Sequence, residues 1–68
     1  MTYGEIVRQI ARKARISNDT ARMVASYYWN TGVIRRGHGD MTLRDGAYME
    51  PSLIRRALTE ARREGVAK

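Results

Sequence analysis

Between Ile16 and Ile34 the chain reads ISNDTARMVASYYWNTGVI, and its apolar rhythm changes once, at Asn30-Thr31-Gly32. Upstream of that point Ala21, Val24, Ala25 and Tyr28 recur at the spacing of one helix face. Downstream, Val33-Ile34 is a β-branched pair suited to a strand. Ser17 is a good N-cap and Gly32 a good stop, so the spacing predicts a helix over 18–30 that feeds directly into a strand.

The flanking segments are read against that unit. Ile6, Val7, Ile10, Ala11 and Ala14 form an amphipathic stripe with Arg8, Arg12 and Lys13 turned outward, which predicts a first helix over 3–14. Thr2 followed by Glu5 suits a capping box at its start. Arg15-Ile16-Ser17 is then long enough only for a turn. After the second helix, Val33–Arg36 and Met41–Arg44 read as two short strands around Gly37-His38-Gly39-Asp40, a hairpin spanning 33–44 with Ile34, Met41 and Leu43 for its inner face. Asp45-Gly46 marks a further turn, and Ala47-Tyr48-Met49 is expected to be extended. Pro51, tolerated in a first turn, opens a last helix over 51–64. Leu53, Ile54, Ala57, Leu58 and Ala61 are its buried stripe and Gly65 its stop. The expectation is a single domain over 1–68, mainly α with a small β-hairpin, in the order helix, helix, hairpin, helix.

A core this small must be closed without covalent help. The chain has no cysteine and His38 is its one histidine, so neither a disulfide nor a zinc site is expected, and no cofactor. Packed aliphatic and aromatic side chains, or a homodimer, have to supply the stability. No apolar run approaches the roughly 20 residues of a membrane span, and the N-terminus lacks an apolar signal segment. A cytoplasmic protein without a membrane partner is expected.

Charge narrows the partner. The net charge is +6 and the pI about 10.5, which favours an anionic partner, nucleic acid first. Residues 1–44 hold eight basic and three acidic side chains, while residues 45–68 hold five and four, so the anion-facing surface is expected in the first two thirds. No nucleophile motif, phosphate loop or metal-ligand spacing accompanies Ser17, Ser26, Ser52 or His38, and an enzyme is not expected.

Ile10-Ala11, Ile16-Ser17, Thr20-Ala21, Val24, Tyr28, Gly32-Val33-Ile34, Arg35-Arg36-Gly37 and Met41-Thr42-Leu43 follow one another without a gap. In that ordered series the chain resembles the winged helix-turn-helix domains of bacterial and phage transcription regulators, over about residues 5–44. The resemblance implies that helix 18–30 lies in the major groove of double-stranded DNA and that residues 35–40 form a wing on the backbone. The function it implies is transcription regulation or DNA architecture, and a nucleoid-associated location. Those domains usually carry glycine where Arg15 stands, so Arg15 must accept a positive φ or change the turn. They also have a helix before the pair, which Leu53–Ala61 would replace in covering the core.

Candidate DNA contacts follow from both readings. Ser17, Asn18, Thr20 and Arg22 stand on the second helix, where Arg22 suits guanine and Asn18 adenine. Arg12, Lys13 and Arg15 are candidates for the phosphate backbone, and Arg35, Arg36 and His38 for the wing. Arg35 and Arg36 face opposite sides of a strand, so one of them at most reaches DNA from it. Tyr27, Tyr28 and Trp29 are consecutive and cannot all be buried on one helix face. Tyr28 belongs to the core, so Tyr27 or Trp29 must be exposed, covered by the last helix or used in a subunit or partner contact, with cover by the last helix the favoured outcome. The competing reading is a phage-type inhibitor or adaptor that uses Tyr27, Trp29 and the arginines against an acidic protein partner.

Overall fold

The computed structural model describes residues 1–37 and 40–65. Among them the chain forms α1 (Tyr3–Ala14), α2 (Asn18–Asn30), β1 (Ile34–Gly37), β2 (Asp40–Leu43), a 3₁₀ turn (Gly46–Met49) and α3 (Pro51–Glu64). The protein is mainly helical with one antiparallel hairpin, in the expected order.

The entry to α1 is held reciprocally. Thr2 Oγ1 accepts the Glu5 amide at 3.1 Å, and Glu5 Oε1 accepts the Thr2 amide at 2.8 Å. The exit is less usual. Arg15 caps α1 at φ 56°, and it is the non-glycine residue with positive φ among the described residues. Its amide donates to the Ala11 carbonyl, as does the Ile16 amide at 3.0 Å. Arg15 therefore accepts the left-handed conformation and keeps the turn short, at a backbone cost on the order of 1 kcal/mol. Ile16 is half-buried against the core and anchors that turn.

Ser17 then caps α2, its hydroxyl accepting the Thr20 amide at 3.1 Å. Ala21, Val24, Ala25 and Tyr28 are the buried face of α2. Gly32, at φ 80°, reverses the chain at its end, and the Val33 amide donates back to the Tyr28 carbonyl at 2.8 Å. The change of rhythm at Gly32 thus has a hydrogen-bonded cause.

In the hairpin, Ile34 pairs with Leu43, Arg35 with Thr42, Arg36 with Met41 and Gly37 with Asp40. The Arg44 amide extends the ladder to the Val33 carbonyl at 2.7 Å. Ile34, Leu43, Arg36 and Met41 consequently share one face, and Arg35 and Thr42 the other. The far edge of β2 is flanked by residue 1: the Met41 amide donates to the Met1 carbonyl at 2.8 Å, and the Met1 ammonium pairs with the Asp40 carboxylate.

Residues 47–49 correct an expectation. They form a 3₁₀ turn rather than an extended piece. Asp45 caps it, its carboxylate accepting the Ala47 amide at 3.0 Å and its carbonyl the Tyr48 amide at 3.1 Å. Local bonds of this kind satisfy the backbone where no strand edge is offered. The turn also brings Tyr48 edge-on to Tyr28, with ring centroids 5.6 Å apart at 73°, and the Tyr28 hydroxyl donates to the Tyr48 carbonyl at 2.7 Å.

α3 closes the core through Ile54, Ala57, Leu58 and Ala61, while Leu53 remains partly exposed at the margin. The centre is built from Ile6, Ile10, Val24, Tyr28 and Ile54, contributed by all three helices. No buried side-chain nitrogen or oxygen lacks a partner among the described residues.

Candidate nucleic-acid interface

The α1–turn–α2 unit presents a run of exposed cations. Arg8, Arg12, Lys13 and Arg15 are all exposed, with Arg12 and Lys13 in the last turn of α1, where the helix dipole favours positive charge. Glu5, the acid of α1, is tied to the Thr2 amide. In α2, Asn18 and Arg22 are exposed, but Arg22 Nη1 reaches Asp19 Oδ1 at 2.8 Å. Both side chains of that pair are open to solvent, so screening leaves it weak and Arg22 able to exchange partners.

Ser17 and Thr20 differ from the sequence reading in their availability. The Ser17 hydroxyl donates to Thr20 Oγ1 at 2.9 Å while accepting the Thr20 amide, and Thr20 is partly buried. These two hydroxyls hold the start of α2; Asn18, Asp19 and Arg22 are the exposed polar groups of its first turns. A capping role and a base-reading role draw on the same residue types at the same position, which is why the sequence did not separate them.

On the hairpin, Arg35 and Arg36 are exposed on opposite faces. Arg35 Nε approaches the Gly32 carbonyl at 3.5 Å. Arg36 lines a recess with Thr2, Tyr3, Asp40 and Met41. The Asp40 carboxyl there is held below its ordinary range by its bond to the Met1 ammonium and by the Met41 amide. His38 lies outside the described residues.

Tyr27 and Trp29, taken together from sequence, separate in space. Tyr27 is half-buried and lines a groove with Leu53, Arg56, Ala57 and Glu60 of α3. Trp29 is 43% exposed, so α3 does not cover it. At 100° per residue, Asn18, Arg22 and Trp29 fall within about 40° of one another, and about 140–180° from Tyr27. Trp29 therefore extends the Asn18–Arg22 edge of α2, and Tyr27 the edge toward α3. The expected cover by the last helix holds for Tyr27 alone, because one helix face cannot turn two residues that are two positions apart toward the same neighbour.

No protein family, curated protein or solved structure matches this chain.

Two groups of functional interest were not singled out from sequence. Arg44 follows β2 and stands over the Tyr48 ring, its guanidinium carbon 5.4 Å from the centroid and its Nη2 donating to Tyr48 Oη at 2.6 Å. Arg55, Arg56, Arg62 and Arg63 are exposed on α3, although Arg63 also pairs with Glu60 at 3.4 Å. Charge counted by segment weights residues 1–44, although the apolar stripe of the last helix already turns Arg55, Arg56, Arg62 and Arg63 outward. The Tyr28 hydroxyl, by contrast, is structural: burial, reinforced by Tyr48, raises its pKa to about 12. Among the described residues no cluster of acidic or histidine side chains could hold a metal ion, and no helix is long and apolar enough to cross a membrane.

Proposed function

We propose that the protein is a small DNA-binding domain of winged helix-turn-helix type, acting as a transcription regulator or DNA-architecture factor by occupancy. The observation that carries this reading is the conjunction of a short α1–α2 turn, capped and charged, with a hairpin leaving α2 directly at Gly32. Residue 1 flanking β2 supports it further, since it gives the hairpin a third backbone segment on its outer edge. In this reading the Asn18–Arg22 edge enters the major groove. Arg8, Arg12, Lys13 and Arg15 neutralise phosphates, and one of Arg35 and Arg36 reaches the backbone from the hairpin.

Binding of that kind is dominated by counterion release. About four to six neutralised phosphates give a log–log salt slope of roughly −4 to −5 per subunit. Fluorescence anisotropy on a labelled random duplex, at several salt concentrations, reads this slope directly. An affinity that is flat between low and physiological salt excludes the reading.

A second reading rests on Trp29, the exposed indole at the end of α2. Here the same scaffold is an inhibitor or adaptor, or one half of a homodimer, and Trp29 with the arginines meets an acidic protein surface. Trp29 is the one tryptophan of the chain, so its emission reports on its own surroundings. A blue shift and loss of acrylamide quenching on adding DNA favours the first reading. The same change on raising the protein concentration alone favours a homodimer.

A further inference from the structure

The groove beside Tyr27 has features that neither reading uses. It opens between the C-terminal half of α2, the 3₁₀ turn and α3, with a volume of about 470 Å³. That lies within the roughly 300–1,000 Å³ typical of small-molecule sites. Its apolar wall is made by Tyr27, Val33, Leu53 and Ala57, with Arg44 and Arg56 at the margin.

The charges at that margin are unequally committed. Both acids are engaged from within: Asp45 accepts the Ala47 amide at 3.0 Å, and Glu60 pairs with Arg63 at 3.4 Å. Neither Arg44 nor Arg56 meets a carboxylate among the described residues. Arg44 is instead held by the Tyr48 ring and hydroxyl. In that bond the tyrosine oxygen accepts, so its own hydroxyl hydrogen is left to donate. An apolar, aromatic-walled cleft thus ends in two guanidiniums and a hydroxyl free to donate, beside the carboxylates of Asp45 and Glu60, each of which already has a partner of its own.

We propose that this groove binds a small aromatic carboxylic acid, its ring against Tyr27 and Leu53 and its carboxylate between Arg44, Arg56 and the Tyr48 hydroxyl. Guanidinium suits this ligand because its planar fork matches a carboxylate. The complementarity is of both kinds, apolar for the body and cationic for the head, and a bare anion or a neutral arene satisfies one half each. The site does not rest on DNA binding, since it lies on the edge of α2 away from Asn18 and Arg22.

The test is a titration of the full ¹⁵N-labelled chain, without DNA, by 2-naphthoate, by 2-naphthylmethanol and by acetate. Saturable amide shifts at Tyr27, Thr31, Tyr48 and Ala57 are expected with 2-naphthoate. The alcohol and acetate should each bind roughly tenfold or more weakly, as should 2-naphthoate to Arg56→Gln and to Arg44→Gln. Arg56→Gln is the safer variant for folding, because Arg56 is exposed on α3 and carries no ring contact. Equal binding of acid and alcohol overturns the proposal, as do shifts spread over the α1 and hairpin arginines. If the same amides shift on concentrating the protein alone, a second copy fills the groove and the acid is not its ligand. If an aromatic-acidic peptide such as acetyl-Asp-Phe-Asp-amide binds and 2-naphthoate does not, the occupant is a protein segment, and the proposal fails equally.

Discussion

Arg15 and Tyr28 show two ways in which one residue carries a local conflict. Arg15 stands at φ 56°, where glycine has no side-chain penalty. Replacing it relieves the strain but loosens the unfolded chain, so Arg15→Gly should stabilise the protein by about 0.5–1 kcal/mol. The midpoint of a thermal melt should rise by roughly 2–8 °C. If Arg15 touches phosphate, the same variant should bind DNA more weakly and with a salt slope smaller by about one. Tyr28 is 1% exposed, and burial raises its pKa to about 12 from an ordinary 10.0. Because the folded value is the higher, its contribution is complete below pH 10 and is lost as pH rises through 12. That loss is on the order of 2–3 kcal/mol. Tyr28→Phe should cost about 1–2 kcal/mol at neutral pH, by leaving the Tyr48 carbonyl without its donor, and should flatten the alkaline limb of stability measured by urea titration. An alkaline limb unchanged in Tyr28→Phe would falsify this account.

At the scale of elements, the proposed DNA-binding function divides the work of recognition between α2 and the hairpin. Arg22 is held loosely by Asp19 and belongs to the outward edge, whereas Arg36 lies on the hairpin face beside Thr2 and Tyr3. Arg22→Ala should therefore flatten sequence preference, removing about 1–3 kcal/mol of discrimination between sites. Arg36→Ala should weaken all sequences alike and reduce the salt slope by about one. Competition binding against a randomised duplex pool measures both. If neither arginine matters, the regulator reading is lost. Ser17→Ala is a control on the helix itself: it removes the cap and should cost about 1 kcal/mol in stability. A fall in DNA affinity beyond what unfolding explains would give Ser17 a direct contact in addition to its capping role.

Taken whole, the molecule measures 32 × 22 × 20 Å and exposes 4506 Å². A folded monomer of 7.8 kDa is expected to expose about 4,400 Å², close to that value. The case for a homodimer rests on the small core and on Trp29, exposed at the end of α2. Stability is small at this length, roughly 3–10 kcal/mol. Ile54 is fully buried at the meeting of the helices, and Ile54→Ala should cost about 2–5 kcal/mol, read by circular dichroism as a fall in the urea midpoint.

Much of this architecture is written locally. The capping residues Thr2 and Ser17, the stripes of Ile6–Ala14 and Ala21–Tyr28, and the stops at Gly32 and Gly65 act within a turn or two of helix, so reading neighbours in the chain is enough to find them. The 3₁₀ turn at Gly46–Met49 was not legible in this way, because the local Asp45 cap is joined by a Tyr28–Tyr48 contact across twenty residues that no reading of chain neighbours supplies. The surface was decided later still. Sequence determined which side chains are cationic or aromatic, since composition and periodicity are properties of single residues and their near neighbours. Tertiary packing alone determined that Tyr27 lines a groove with α3 while Trp29, on the same edge of α2 as Arg22, stays in solvent. Those outcomes depend on which helix edges meet, and the angle at which α3 docks is set by the whole core at once.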